Sequence, residues 1–159
     1  MGTRNLTIVK HDYQIKVAQY GQWDGYPRGA GQTIIDFLKA VDFDPAKFIE
    51  KLKLCQFVPQ SKLDKMTDEQ YGELCRTKPQ FSRDTGAGIL QMIWENTEKK
   101  FELKNAIEFG FDDLFCEWLY IIDLDHNKLI VRHNLIDPFC VKYDFKYLPD
   151  TMDGLGNAE

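Results

Sequence analysis

Strand-type residues gather near the two ends of this chain and helical spacing fills its middle, and that order does most to limit the folds open to it. Near the start, Leu6-Thr7-Ile8-Val9 and Ile15-Lys16-Val17-Ala18-Gln19-Tyr20 flank a polar interruption at 11–14, the pattern of a β-hairpin. Far downstream, residues 115–124 are apolar on both faces except at Glu117 and Asp123. Asp125-His126-Asn127 turns the chain, residues 128–132 return as a second hairpin, and 139–145 alternate as a fifth strand. Strands on either side of a helical block predict an α+β fold: a mainly antiparallel sheet, N-terminal hairpin plus C-terminal strands, packed with about four helices.

The helices are read from spacing and caps. Ile34, Ile35, Phe37, Leu38 and Val41 recur at helical intervals over 33–41. Asp44-Pro45 is a cap followed by proline at the first helical position, and Phe48, Ile49, Leu52 and Cys55 form the stripe behind it. Residues 56–65, with Pro59, read as a connector. Thr67-Asp68-Glu69-Gln70 has the form of a capping box and starts a third helix, buried through Tyr71, Leu74 and Cys75. A fourth, capped by Ser82 or Asp84, carries Ala87, Ile89, Leu90, Ile93 and Trp94. Gly86 and Gly88 each cost about 1 kcal/mol against alanine inside a helix, which points to close packing or a ligand at that turn. Residues 1–148 read as one α+β domain. Residues 149–159 lack apolar periodicity and read as a flexible tail.

Charge and targeting signals narrow the partners. A net charge of −5 argues against binding to a phosphate backbone, so no nucleic-acid partner is expected. No apolar run approaches the ~18 residues of a membrane span, which predicts no membrane association. The N-terminus lacks the apolar stretch of a signal peptide, and Leu6 stands where myristoylation needs Ser or Thr. A cytoplasmic location with reduced thiols follows.

Cys55, Cys75, Cys116 and Cys140 form no C-x-x-C pair and lack neighbouring histidines at zinc spacing. No metal and no cofactor is therefore expected. Asp123-x-Asp125-x-Asn127 imitates the opening of a calcium loop, but Lys128 replaces its glycine and Asn134 its final acid, so a hairpin turn explains it better. His11, His126 and His133 fall in or beside turns and are expected to be solvated.

The candidate site is the stretch 18–32, between a strand and a helix, where scaffolds tend to present binding groups. Tyr20, Trp23 and Tyr26 are candidates for an aromatic wall, with Gln19, Gln22, Asp24 and Gln32 as hydrogen-bonding groups. Arg28 and the amides of 29–32 are placed to hold a phosphate. The spacing matches neither a Walker loop nor a dinucleotide fingerprint. The competing reading has the rings plug the core. Arg4, Arg83, Asp84 and Glu117 form a second constellation, either a structural tie between sheet ends or a polar site floor with arginine for an anion and a carboxylate as acid or base. Thr3, Asp84, Cys116 and Glu117 are the catalytic candidates, and no motif joins them to a reaction.

Met1-Gly2-Thr3-Arg4-Asn5-Leu6-Thr7, Tyr20-Gly21-Gln22-Trp23-Asp24-Gly25-Tyr26-Pro27, Asp112-Asp113-Leu114-Phe115-Cys116-Glu117-Trp118 and Arg83-Asp84-Thr85-Gly86-Ala87 together resemble a family of small phage, bacterial and fungal proteins with no assigned activity. A phage setting implies interference with a host defence or host enzyme. The outline of Thr3 before a strand–turn–strand unit also resembles N-terminal nucleophile hydrolases, although Met1 and Gly2 precede the threonine. The leading expectation is a small cytosolic ligand-binding or interaction protein with its site at 19–32. Its partner is a nucleotide-like small molecule or a host protein. The alternative is a hydrolase of amide or glycosidic bonds using Asp84, Glu117 or a processed Thr3.

Overall fold

The computed structural model describes residues 2–112, 114–134 and 139–152. β1 (Asn5–His11) and β2 (Gln14–Gly21) form the N-terminal hairpin. Its two-residue turn, Asp12-Tyr13, has both residues at φ 56°, which matches the twist of the flanking strands. After a π-type turn at Pro27–Gly31 come α1 (Gln32–Lys39), α2 (Pro45–Leu52), β3 (Cys55–Phe57), α3 (Gln60–Asp64), α4 (Asp68–Thr77) and α5 (Ile89–Glu95). β4 (Phe101–Leu103), β5 (Trp118–Asp123), β6 (Lys128–His133) and β7 (Phe139–Asp144) complete the chain.

The fold is α+β. Five strands run in the order β2-β1-β5-β6-β7, and every neighbouring pair is antiparallel except β1 and β5. β5 therefore sits at the centre of the sheet, which accounts for its apolar residues on both faces. On one face Val9, Val17, Trp118, Tyr120, Ile122 and Val131 pack against the helices through Ile34, Phe37, Phe48, Leu90 and Trp94. Phe37 meets the rings of Phe43, Phe48 and Trp94 at centroid distances of 5.2, 5.2 and 6.0 Å. Such ring pairs add about 0.5–1.5 kcal/mol each beyond area burial. On the other face Leu6, Ile8, Ala18, Cys116 and Leu119 are covered by Ala106, Ile107 and Phe109.

Several sequence expectations change. α1 ends at Lys39, so Val41 leaves its apolar stripe and is exposed. The stretch 56–65 is not a plain connector: Cys55 belongs to β3, which pairs in parallel with β4, and α3 follows. α4 starts at the expected capping box, yet none of its residues is buried, and Tyr71, Leu74 and Cys75 are half-buried around Val58, Leu63 and Phe81. α5 begins at Ile89 after a 3-10 turn at Gly86–Gly88, and Gly86 at φ 49° lies in the left-handed region, so the helix does not extend back to a cap at Ser82 or Asp84. His133 is buried, its ring 4.4 Å from that of Trp118, and is not solvated.

The expected tail from 149 is docked at its start. Met152 is 1% exposed and its N–H donates to Gln32 Oε1 at 3.0 Å, while Asp150 pairs with Lys39. The rest of that tail, 153–159, lies outside the described residues. No helix among the described residues is long and apolar enough to cross a membrane.

Candidate functional site

The four sequence blocks singled out above meet at one end of the sheet, where β1 and β5 start and β2 ends. Asn5, buried at the first position of β1, donates from Nδ2 to the carbonyl of Gly21 at 3.1 Å and to that of Thr3 at 3.3 Å. Gly25 donates its N–H to Thr3 O at 2.9 Å and accepts from the buried Tyr120 hydroxyl at 2.6 Å. A Cβ on Gly25 would stand 2.4 Å from Thr3 O, so only glycine fits. Burial pushes the Tyr120 phenol well above the usual tyrosine value, so it stays protonated and keeps donating.

The second loop is fastened to the first. Gln22 N–H donates to Arg83 O at 2.9 Å, and Trp23 Nε1 donates to Asp84 Oδ1 at 2.7 Å. A Cβ on Gly21 would come 2.9 Å from Gly86 Cα, so close packing accounts for this glycine pair. Asp24 takes φ 51°, a left-handed conformation that Asp tolerates better than most residues, and its carbonyl accepts from Ala30 N–H at 2.8 Å.

The three rings of the first loop do not form one wall. Tyr26 is half-buried against the main core, with its hydroxyl donating to Asp24 Oδ1 at 3.2 Å. Trp23 is 48% exposed and lines a shallow polar groove of about 350 Å³ with Asp24, Arg28, Asp84 and Gly86. Tyr20 points to the opposite face of the sheet and meets Phe109 edge-on at 4.8 Å. A strand alternates its side chains, so Tyr20 and the loop beyond Gly21 serve different surfaces. The loop neither plugs the core nor builds a common pocket.

The larger concavity, about 560 Å³, lies beside β2. β2 is an edge strand, attached on its outer side where Ala106 N–H donates to Ala18 O at 3.0 Å and, one residue past its end, where Gln22 N–H reaches Arg83 O. Tyr20 falls between these attachments, and the gap there is the cleft. Tyr20, Tyr71, Phe81 and Phe109 give it aromatic walls, with Arg83 and Lys104 as its cations. Gln19 and Tyr71 support the walls: Gln19 Nε2 donates to Gln80 O at 3.0 Å, and the Tyr71 hydroxyl to Phe81 O at 3.3 Å. Burial raises the Tyr20 phenol, a shift opposed by the positive charges of Arg4 and Arg83, and its hydroxyl donates to Gln22 Oε1.

The catalytic candidates are engaged structurally. Glu117 Oε2 accepts from Arg4 N–H at 2.9 Å, and Arg4 O accepts from Glu117 and Trp118 N–H at 3.2 and 3.3 Å. This knot ties β1 to β5, and the Arg4 guanidinium rests 4.8 Å over the Phe115 ring. Asp84 holds the Trp23 indole. Cys116 is fully buried with Sγ 3.5 Å from Trp118 O, the setting of an inert thiol. Thr3 serves through its carbonyl, as above. Among the described residues no group of three or more His, Cys, Asp or Glu converges. The acidic turn is a hairpin turn, with Asp123 Oδ1 accepting from Asp125 N–H at 3.0 Å.

Sequence reasoning missed Asn5, Tyr71, Phe81, Lys104 and Phe109. A polar residue opening an apolar strand was the one signal available for Asn5. The other four read as ordinary helix and loop residues. Comparisons with protein families, with curated proteins and with solved structures find no match to this chain.

Proposed function

We propose that this chain is a small-molecule-binding protein and that the aromatic cleft beside β2 is its binding site. One observation carries the reading: a cleft of about 560 Å³, within the range of small-ligand pockets, is walled by four aromatic side chains drawn from separate segments. One wall stands on the sheet and is held rigid by its ladder. Another, Tyr71, stands on α4, which buries none of its residues and can adjust to a guest. Of the loop expected to hold the site, Gln19 and Tyr20 line this cleft, while Trp23, Asp24 and Arg28 line the smaller groove on the far side of Asp84.

The test is an NMR titration of the isotope-labelled protein with a library of small aromatic fragments. Binders are expected to shift the amides of Tyr20, Tyr71, Phe81 and Phe109 together, and Phe109→Ala is expected to weaken them while the rest of the spectrum persists. Shifts confined to Trp23, Arg28 and Gly86 would place the site in the groove and defeat this reading.

A further inference from the structure

The cleft's hydrogen-bonding inventory is one-sided. Two backbone acceptors of its lining are already engaged: Gln80 O by Gln19, and Phe81 O by the Tyr71 hydroxyl and by Cys75 Sγ at 3.5 Å. Ser82 Oγ accepts from Asp84 N–H at 3.1 Å. The carboxylate on the rim, Asp84, is held by the Trp23 indole. The cations are not so engaged. Arg83 is fastened through its backbone carbonyl, and its guanidinium has no carboxylate partner among the described residues. Lys104 rests with Nζ 5.5 Å from the Tyr71 ring centroid, again without a carboxylate. Two cations thus face the cleft against one carboxylate, in a protein whose net charge is −5. Donors and positive charge thus line the cleft alongside its aromatic side chains.

We propose that the ligand of this cleft is a flat small anion, an aromatic or heteroaromatic ring bearing a carboxylate or a phosphate. The ring lies among Tyr20, Tyr71, Phe81 and Phe109, and the anionic group is held by Arg83 and Lys104. This rests on the reading of the cleft as a small-ligand site. Charge-assisted hydrogen bonds to arginine are roughly twice as strong as neutral ones, so the anion, more than the ring, sets selectivity.

The experiment compares ligands of one shape and different charge, followed by NMR on the full chain: indole-3-acetate, its neutral amide, and tryptamine. Adenosine 5′-monophosphate against adenosine forms a second arm, which separates phosphate from carboxylate as the anion. Indole-3-acetate is expected to bind at least about tenfold more tightly than the amide, with tryptamine weakest. Arg83→Met and Lys104→Met are each expected to lower affinity for the anions and to leave the amide's unchanged. Arg83 is exposed, Lys104 is half-buried and neither has a carboxylate partner among the described residues, so melting temperatures are expected to stay put, which separates the effect from unfolding. Equal affinities for anion and neutral partner in both arms, with shifts still in the cleft, would overturn the anionic class and leave the cleft reading standing. No shift at Tyr20, Tyr71, Phe81 or Phe109 with any of the five compounds at millimolar concentration would overturn both.

Discussion

Tyr120→Phe removes one hydroxyl and nothing else, from a residue on the central strand that is fully buried beneath the Trp23 loop. The lost bond, 2.6 Å to Gly25 O, leaves that carbonyl without its donor in a site too crowded to admit a Cβ on Gly25. An ordinary hydrogen bond contributes about 0.5–1.5 kcal/mol, and a buried polar group left unpaired costs about 1–3 kcal/mol. A loss of about 1–3 kcal/mol is expected in urea denaturation at neutral pH, or about 2–4 °C in melting temperature per kcal/mol for a chain of this size. Hydrogen exchange is expected to speed at Gly25 and Ala30, which the loop's own bonds protect. The same variant tests the titration. Burial raises the folded-state phenol above its unfolded value near 10, so the unfolded state releases its proton first as pH rises. The stabilisation is complete below about pH 10 and is lost as pH climbs through the raised value, and the Phe variant is expected to lose this part of the alkaline slope. A loss below about 0.5 kcal/mol, with loop exchange and alkaline slope unchanged, would refute the claim that Tyr120 holds the site loop from below.

Gly25→Ala is expected to cost about 3 kcal/mol in denaturant titration, since its Cβ would meet backbone oxygen at 2.4 Å. Gly86→Ala, whose Cβ would have 3.5 Å of clearance but whose φ is 49°, is expected to cost only about 1 kcal/mol. Equal losses would mean that the crowding argument is wrong. At the opposite end of the sheet, Asp125 accepts from Asp12 and Tyr13 N–H at 2.7 and 2.9 Å, and chiefly those bonds hold its carboxyl below the usual aspartate value. Its stabilisation is present above about pH 4 and is lost as pH falls through the lowered value, so Asp125→Asn is expected to flatten the acid limb of a pH–stability curve. An unchanged limb would show that the two hairpin turns are not coupled through this carboxylate.

Local features of the fold were legible because their causes lie within a few residues. Asp44 accepts from Ala46 N–H at 3.1 Å ahead of Pro45, and Thr67 and Gln70 exchange the two bonds of a capping box. Both hairpins follow from alternating runs broken by polar turns. The α5 start was misread because side-chain pattern alone does not reveal that Gly86 takes a positive φ. His133 was misread because a turn-adjacent histidine becomes buried only once Trp118 and Phe139 close on it. The β3–β4 pair escaped notice because three-residue strands far apart in the chain leave no periodicity to read.

The sequence by itself determined the class of fold, the two loops that carry the unusual residues, and the likeness of their composition to a site. It could do so because propensity, capping and alternation are short-range. Tertiary structure alone decided that these loops fasten to each other, that Tyr20 turns away from Trp23, and that Tyr71, Phe81, Lys104 and Phe109 face it across a cleft. That outcome depends on β2 being an edge strand, with backbone bonds from it to 106 and from the residue after it to 83. The order of strands in a sheet is a choice among long-range pairings, and no local run of residues encodes it.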